Sequence, residues 1–240
     1  MTSEATDTWR GIAARNNAEW CDVVCRSHGA PTRFDKDAWT SPARTPPYYP
    51  DAVTLVPDLS VPDLLSRVDT SAGCSIKDSF ASLDLSVHGF RVLFDAQWIV
   101  DTGARRSPEE AGARWERARD PDNFARWIDA WRDTDGPTDV LRAEVLDHDS
   151  VAVIAARADD RVVAGAILSR SANVVGISNF FADEGITSPS WSGCLAFART
   201  LFATATFVGY ESGDGLVAAQ RDGFEIAGPL RVWIRDAPQN

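Results

Sequence analysis

The chain of 240 residues is poor in positive charge: 24 Lys and Arg stand against 35 Asp and Glu, a net charge of −11. Nucleic-acid binding rests on cationic neutralisation of phosphates, so that class of partner is not expected. Long apolar runs are missing too. No window approaches the ~20 consecutive apolar residues of a membrane span. The opening stretch MTSEATDTWRG has neither a basic nor an apolar leader region, which predicts a cytoplasmic protein. The four cysteines (Cys21, Cys25, Cys74, Cys194) lack metal-ligand spacing and read as reduced thiols, while His28, His88 and His148 are far apart, so no metal is expected. No GxSxG stretch, nucleotide-binding glycine loop or paired-carboxylate glycosidase spacing occurs.

What is present is aromatic. Nine Trp and 11 Phe serve a core or line an apolar ligand pocket. Residues 7–28 carry Trp9, Ile12, Trp20 and Val24 near the helical period and end at His28-Gly29. Residues 30–50 hold five prolines and read as irregular, with PPYYP either a stiff connector or a partner-binding segment. A short strand (51–57), a short helix (61–69) and an extended stretch (73–86) follow.

From residue 90 the pattern is stronger. FRVLFDAQWIV (90–100) is a strand, and a helix is predicted from Ser107 to about Trp131, broken at Asp120-Pro121. Two strands, 150–159 and 161–172, flank a polar turn as a hairpin, and NVVGISNFFAD (173–183) is a third strand. A helix follows Pro189 with Trp191, Leu195, Ala198 and Leu201 on one stripe; then come a strand (205–212), a short helix (213–223) and a last strand (224–235).

This order, closing on FVGYESGDGLVAAQRDGFEIAGPLRVWI with Gly223-Phe224 between short helix and final strand, resembles the GNAT superfamily of N-acetyltransferases over about residues 90–236. The resemblance implies an α+β fold, a mixed and mostly antiparallel central sheet flanked by helices. It divides the chain into a helical or irregular N-terminal extension (1–89) packed on a GNAT-like domain (90–240). It also implies that acetyl-CoA or another acyl-CoA lies where strands 173–183 and 205–212 part, its pyrophosphate on the start of the next helix. That start is DEGITSPSWSGC (183–194), whose Ser188, Ser190, Trp191, Ser192 and Gly193 are the implied cofactor-binding residues. Where the family has a basic residue and spaced glycines, this sequence has Asp183, Glu184 and Gly185, with no Arg or Lys before Arg199. Where many members keep a tyrosine acid in the short helix, it has Ala219.

Candidate chemical groups cluster at the parting strands. Tyr210 either replaces the missing acid or packs its ring; Glu211 either acts as base or amine ligand, or caps the GDG turn. Asn179, beside Ser178, either meets substrate or bonds within the fold. Asp95, in an apolar strand, is either a site carboxylate or the structural partner of an N-terminal arginine. The resulting expectation is an acyltransferase moving an acyl group from acyl-CoA to the amine of a small molecule. The alternatives are a GNAT-like protein that has lost CoA and uses the cleft for another small molecule, and a non-catalytic interaction domain whose extension covers the cleft or forms a homodimer interface.

Overall fold

A computed structural model describes residues 3–103, 114–132, 135–183 and 191–236. The chain divides into two compact units, Met1–Trp98 with Ile226–Asn240, and Ile99–Glu225.

The first unit opens with helix α1 (Ser3–Ser27). Its buried face is small and aromatic, with Ala14, Ala18, Trp20, Val24 and Cys25 almost fully enclosed. Gly29, at φ 70°, closes the helix through its N–H on the Arg26 carbonyl at 2.9 Å, a left-handed position that glycine adopts without strain. Short strands β1 (Arg33–Phe34), β2 (Ala38–Thr40), β3 (Ala52–Thr54) and β4 (Ser75–Asp78) follow. Between β3 and β4, helix α2 (Val61–Leu65) starts with Pro62 in its first turn and Ser60 accepting the Asp63 N–H. β1/β2 and β2/β3 pair antiparallel, and β3/β4 pair parallel. The strand that closes the chain, β11 (Glu225–Ile234), pairs antiparallel with β4, Ser75 opposite Ile234. Leu64, Ile76, Leu85, Phe90 and Trp233 form this unit's core. β5 (Arg91–Asp101) begins in this unit and its last three residues belong to the other.

The second unit holds β6 (Arg114–Ala118), α3 (Pro121–Trp131), β7 (Val151–Ala158), β8 (Arg161–Ser171), β9 (Val174–Ala182), α4 (Trp191–Leu201), β10 (Thr206–Glu211) and α5 (Gly213–Arg221). β6 to β9 form an antiparallel series, and β10 joins β9 in parallel. Over both units the strands are mostly antiparallel and accompanied by five α-helices among the described residues, so the fold is α+β with a mixed sheet. No described helix is long and apolar enough to cross a membrane.

One expected helix is replaced. Residues 114–118, predicted helical, form β6, and 104–113 lie outside the described residues. Asp120 and Pro121 start α3 separately, with the Asp120 carboxylate accepting the Asn123 N–H at 2.9 Å. Upstream of that break, a full ladder to β7 from Arg114↔Arg157 to Ala118↔Val153 satisfies the backbone. Such pairing outweighs weak helix propensity in a five-residue segment. The predicted strand 73–86 is also shorter, ending at Asp78, because the following turn folds back onto that carboxylate. Within 30–50, read as irregular, β1 and β2 form and Trp39 is fully buried.

Candidate functional site between β9 and β10

The parallel β9/β10 ladder is short. It runs from Thr206↔Val174 to Val208↔Gly176 and stops, although β9 continues to Ala182 and β10 to Glu211. A bulge in β9 accompanies the stop. Against β8, Gly165 faces Phe181 but Ile167 faces Ser178, so β9 carries one residue more than its partner. Asn179 lies within the extra length at φ 54°, a left-handed conformation that asparagine tolerates better than most residues. Bulges bend a strand and re-aim its side chains. The C-terminal ends of the two parallel strands therefore leave backbone that is not committed to that ladder.

The face toward α4 is closed by core. Val175, Ile177 and Phe207 pack with Trp191, Leu195, Ala198 and Ala219. Phe180 stacks on Trp191 with ring centroids 4.1 Å apart, and Phe224 meets Trp191 edge-on at 5.1 Å. Gly223 ends α5 at φ 109°, and Phe224, 3% exposed, enters the core as the Gly-Phe pair suggests. Trp191, implied to bind cofactor, is 3% exposed and sits inside this aromatic stack. Gly193 has a packing duty: a Cβ there would stand 2.8 Å from the Trp115 indole nitrogen.

Glu211 ends β10 on the same face as Phe207, two residues apart from Gly209 in the strand alternation. Its carboxylate lies against the first turn of α5, where a Cβ on Gly215 would come within 2.5 Å of Oε2. Burial pushes this carboxyl from the ordinary 4.5 up to about 7, against the opposing pull of the Ser212 N–H. Tyr210, half-buried, projects to the opposite face, and Asn179 and Ser178 are half-buried on β9. Tyr210, Glu211 and Asn179 thus share the C-terminal ends of the two parting strands. Asp95 belongs to the first unit, where it forms a two-pronged ion pair at 2.7 and 3.1 Å not with an N-terminal arginine, as expected, but with Arg231 of β11.

The first described residues of α4 meet an acid that the sequence conceals. Ser192 donates its backbone N–H to the Asp222 carboxylate at 3.1 Å, and Asp222 is 9% exposed. Asp183, in contrast, is ion-paired to Arg161 at 2.6 Å across the β8/β9 hairpin. Arg199 is held by the buried Asp101. Ser188, Ser190 and Glu184 lie outside the described residues. Sequence reasoning missed Asp222 and Arg161. Arg161 was signalled weakly by the hairpin, which brings its end beside that of β9; Asp222 read only as the residue before a helix-ending glycine.

No protein-family model and no curated protein matches the sequence. Solved structures do match the fold. A GCN5-related N-acetyltransferase from Kribbella flavida superposes with a TM-score of 0.65 at 15% identity, over 95% of this chain and 96% of that one. A Drosophila protein gives 0.58 at 12% identity, over 100% and 98% of the two chains. A GNAT-family protein of Novosphingobium aromaticivorans gives 0.53 at 12% identity, over 89% and 97%. The chain has the fold of the GCN5-related N-acetyltransferases. The likeness covers nearly all of it, residues 1–89 included.

Proposed function

We propose that the chain is an acyltransferase that moves an acyl group from an acyl thioester of the acyl-CoA type to the amine of a small molecule. The observation that carries this reading is Glu211, a buried carboxyl held at about 7 where β9 and β10 part. A base poised near neutral pH suits the removal of a proton from an attacking ammonium or amine. The open strand ends suit the amide-bearing pantetheine arm, which can pair with backbone groups released from the ladder. The residues described at α4 do not suit the diphosphate, since the Ser192 N–H and Arg199 are both engaged by carboxylates.

Acyl-CoA supplies a thioester carbonyl activated for attack. Glu211 takes the proton of the acceptor amine, raising the fraction of nucleophilic free base. Tyr210 projects to the opposite face of β10, so the proton that Glu211 takes from the amine is the one returned to the departing thiolate, where the family's tyrosine position is Ala219 here. Asn179, fixed by the bulge, offers an amide to orient acceptor or carbonyl. The test is release of free thiol from acetyl-CoA with a panel of small primary amines, together with calorimetric titration of acetyl-CoA. Amine-dependent thiol release lost in Glu211→Gln supports the reading; no release and no binding overturns it.

A second reading is favoured by Asp222 alone. A carboxylate on the α4 start fits a cleft that takes a small molecule without CoA, and such a protein would bind a ligand while releasing no thiol.

A further inference from the structure

Helix α5 opens on two glycines, Gly213 and Gly215, and they serve different ends. Gly213 sits at φ 50°, where a side chain is strained, and a Cβ on it would meet nothing within 4 Å. Gly215 is the reverse. Its φ is not positive, so its backbone does not ask for glycine. Yet a Cβ there would stand 2.5 Å from Glu211 Oε2, 3.2 Å from Cδ and 3.9 Å from Cγ. The Leu216 N–H already donates to the Ser212 carbonyl at 3.1 Å, so Gly215 lies in the first helical turn, where glycine is a poorer helix former than alanine. Helical Cα–Cβ bonds tilt toward the N-terminus, which aims this position back at the end of β10. The Glu211 side chain fills the room that a side chain on Gly215 would take. In that place burial acts on its carboxyl against the pull of the Ser212 N–H.

We propose that Gly215 is a positioning residue for Glu211: the side chain it lacks is the space in which the carboxylate lies, and a Cβ at that position turns the carboxylate out toward water. The bearing of this on turnover rests on the acyltransferase reading, but the placement of the carboxyl is measured without it. A base moved by about 1 Å loses much of the hydrogen-bond reach that proton transfer needs. Local helix propensity is thus given up at Gly215 to hold one group in place.

NMR titration of isotope-labelled glutamate carboxyls, with Glu211→Gln to assign the Glu211 signal, reads the placement directly. In the wild type the midpoint should lie at about 7. In Gly215→Ala it should fall toward the ordinary 4.5, because the displaced carboxyl regains water. Val217→Gly, at a 65% exposed position of the same helix, lowers helix propensity alone and should leave the midpoint where it was. In thiol release with an amine acceptor, Gly215→Ala should lower kcat by roughly tenfold or more, change KM much less, and move the rising limb of the pH profile below that of the wild type. If Gly215→Ala folds poorly, adding Glu211→Ala should restore folding, because the offending contact is gone. Equal midpoints in wild type and Gly215→Ala overturn the proposal. So does an equal fall in Val217→Gly, or a folding defect that Glu211→Ala does not relieve. Failure of the acyltransferase reading looks different: no amine draws thiol from acetyl-CoA, while the Glu211 midpoint still answers to Gly215→Ala.

Discussion

Two buried carboxylates, Asp51 of the first unit and Glu211 of the second, differ in how many donors meet them. In the first, Asp51 is 1% exposed and saturated: it accepts from Arg44, from the Thr45 N–H at 3.0 Å, from the Thr45 hydroxyl at 3.3 Å and from the Ser75 N–H at 2.9 Å. Asp78, fully buried, gathers the N–H groups of Leu83 and Phe80 at 2.8 and 3.2 Å, and these donors offset only part of the burial that pushes its carboxyl up. In the second unit Glu211 has the Ser212 N–H and a glycine-lined helix start beside it, and desolvation carries it up to about 7. A carboxylate surrounded by donors ties loops together. One that is dehydrated without such compensation keeps a proton within reach of neutral pH, which is the property chemistry can use.

Glu211→Gln is the strongest test of that contrast. Activity with an amine acceptor should fall by roughly 10²- to 10⁴-fold, and the wild-type rate should rise with pH through about 7, a limb the variant lacks. Stability should move the other way. The folded carboxyl holds its proton more tightly than the unfolded one, so its contribution is complete below 4.5 and is lost as pH rises through about 7. At 1.36 kcal/mol per unit the loss approaches ~3 kcal/mol above neutrality. Urea unfolding should therefore find the Gln variant more stable than wild type at pH 8 and no more stable at pH 4. Equal differences at both values would show that burial does not hold the proton.

In the first unit the prediction is of stability alone. Asp51→Ala strips a buried partner from Arg44 and leaves the N–H groups of Thr45 and Ser75 without their acceptor. Breaking such a buried pair costs about 3–5 kcal/mol. Unfolding by denaturant should show it, and Asp51→Asn, which restores one oxygen, should recover part of the loss.

The sequence made much of the second unit legible, because its signals are local. The β7/β8 hairpin has its polar turn, α4 its apolar stripe, and α5 ends where Gly223 permits φ 109° and Phe224 turns inward. β6 was not legible, since its ladder to β7 is formed with residues some forty positions away. The site divides likewise. Tyr210 and Glu211 could be placed by their position at a strand end. The charge around α4 could not: Asp183, read as a repelling acid, is paired with Arg161, and the acid that touches the helix is Asp222, thirty residues beyond Ser192. Nothing in 1–89 announced that it would join the shared fold, because its strands are only two to four residues long and β3 and β4 are joined by helix and turns.

Packing beneath the cleft should give an intermediate effect. Gly165 faces Phe181 in the β8/β9 ladder, and a Cβ on it would lie 2.2 Å from the Trp127 indole nitrogen, whose N–H donates to the Ile154 carbonyl at 3.0 Å. Trp127 is fully buried and cannot simply swing away. Gly165→Ala should destabilise by about 1–3 kcal/mol, the usual range for overpacking. A melting temperature matching wild type would mean that the α3 contact is looser than its geometry.

The smallest effect should come from Asp95, which separates an ion pair from a site carboxylate most directly. Its side chain is 59% exposed and is gripped by Arg231, whose guanidinium holds the carboxyl below its ordinary range. A lowered carboxylate contributes stability above the unfolded value and loses it as pH falls through the folded one, so any contribution should vanish in acid. Solvent screening keeps it small: Asp95→Ala should cost about 0.2–1 kcal/mol at neutral pH. Adding salt should shrink that difference, because the pair is exposed. Thiol release should be unchanged, leaving Glu211 as the carboxyl on which turnover depends. A loss of turnover in Asp95→Ala with stability intact would move Asp95 from the ion pair to the chemistry, and would break the distinction between a structural carboxylate in the first unit and a reactive one in the second.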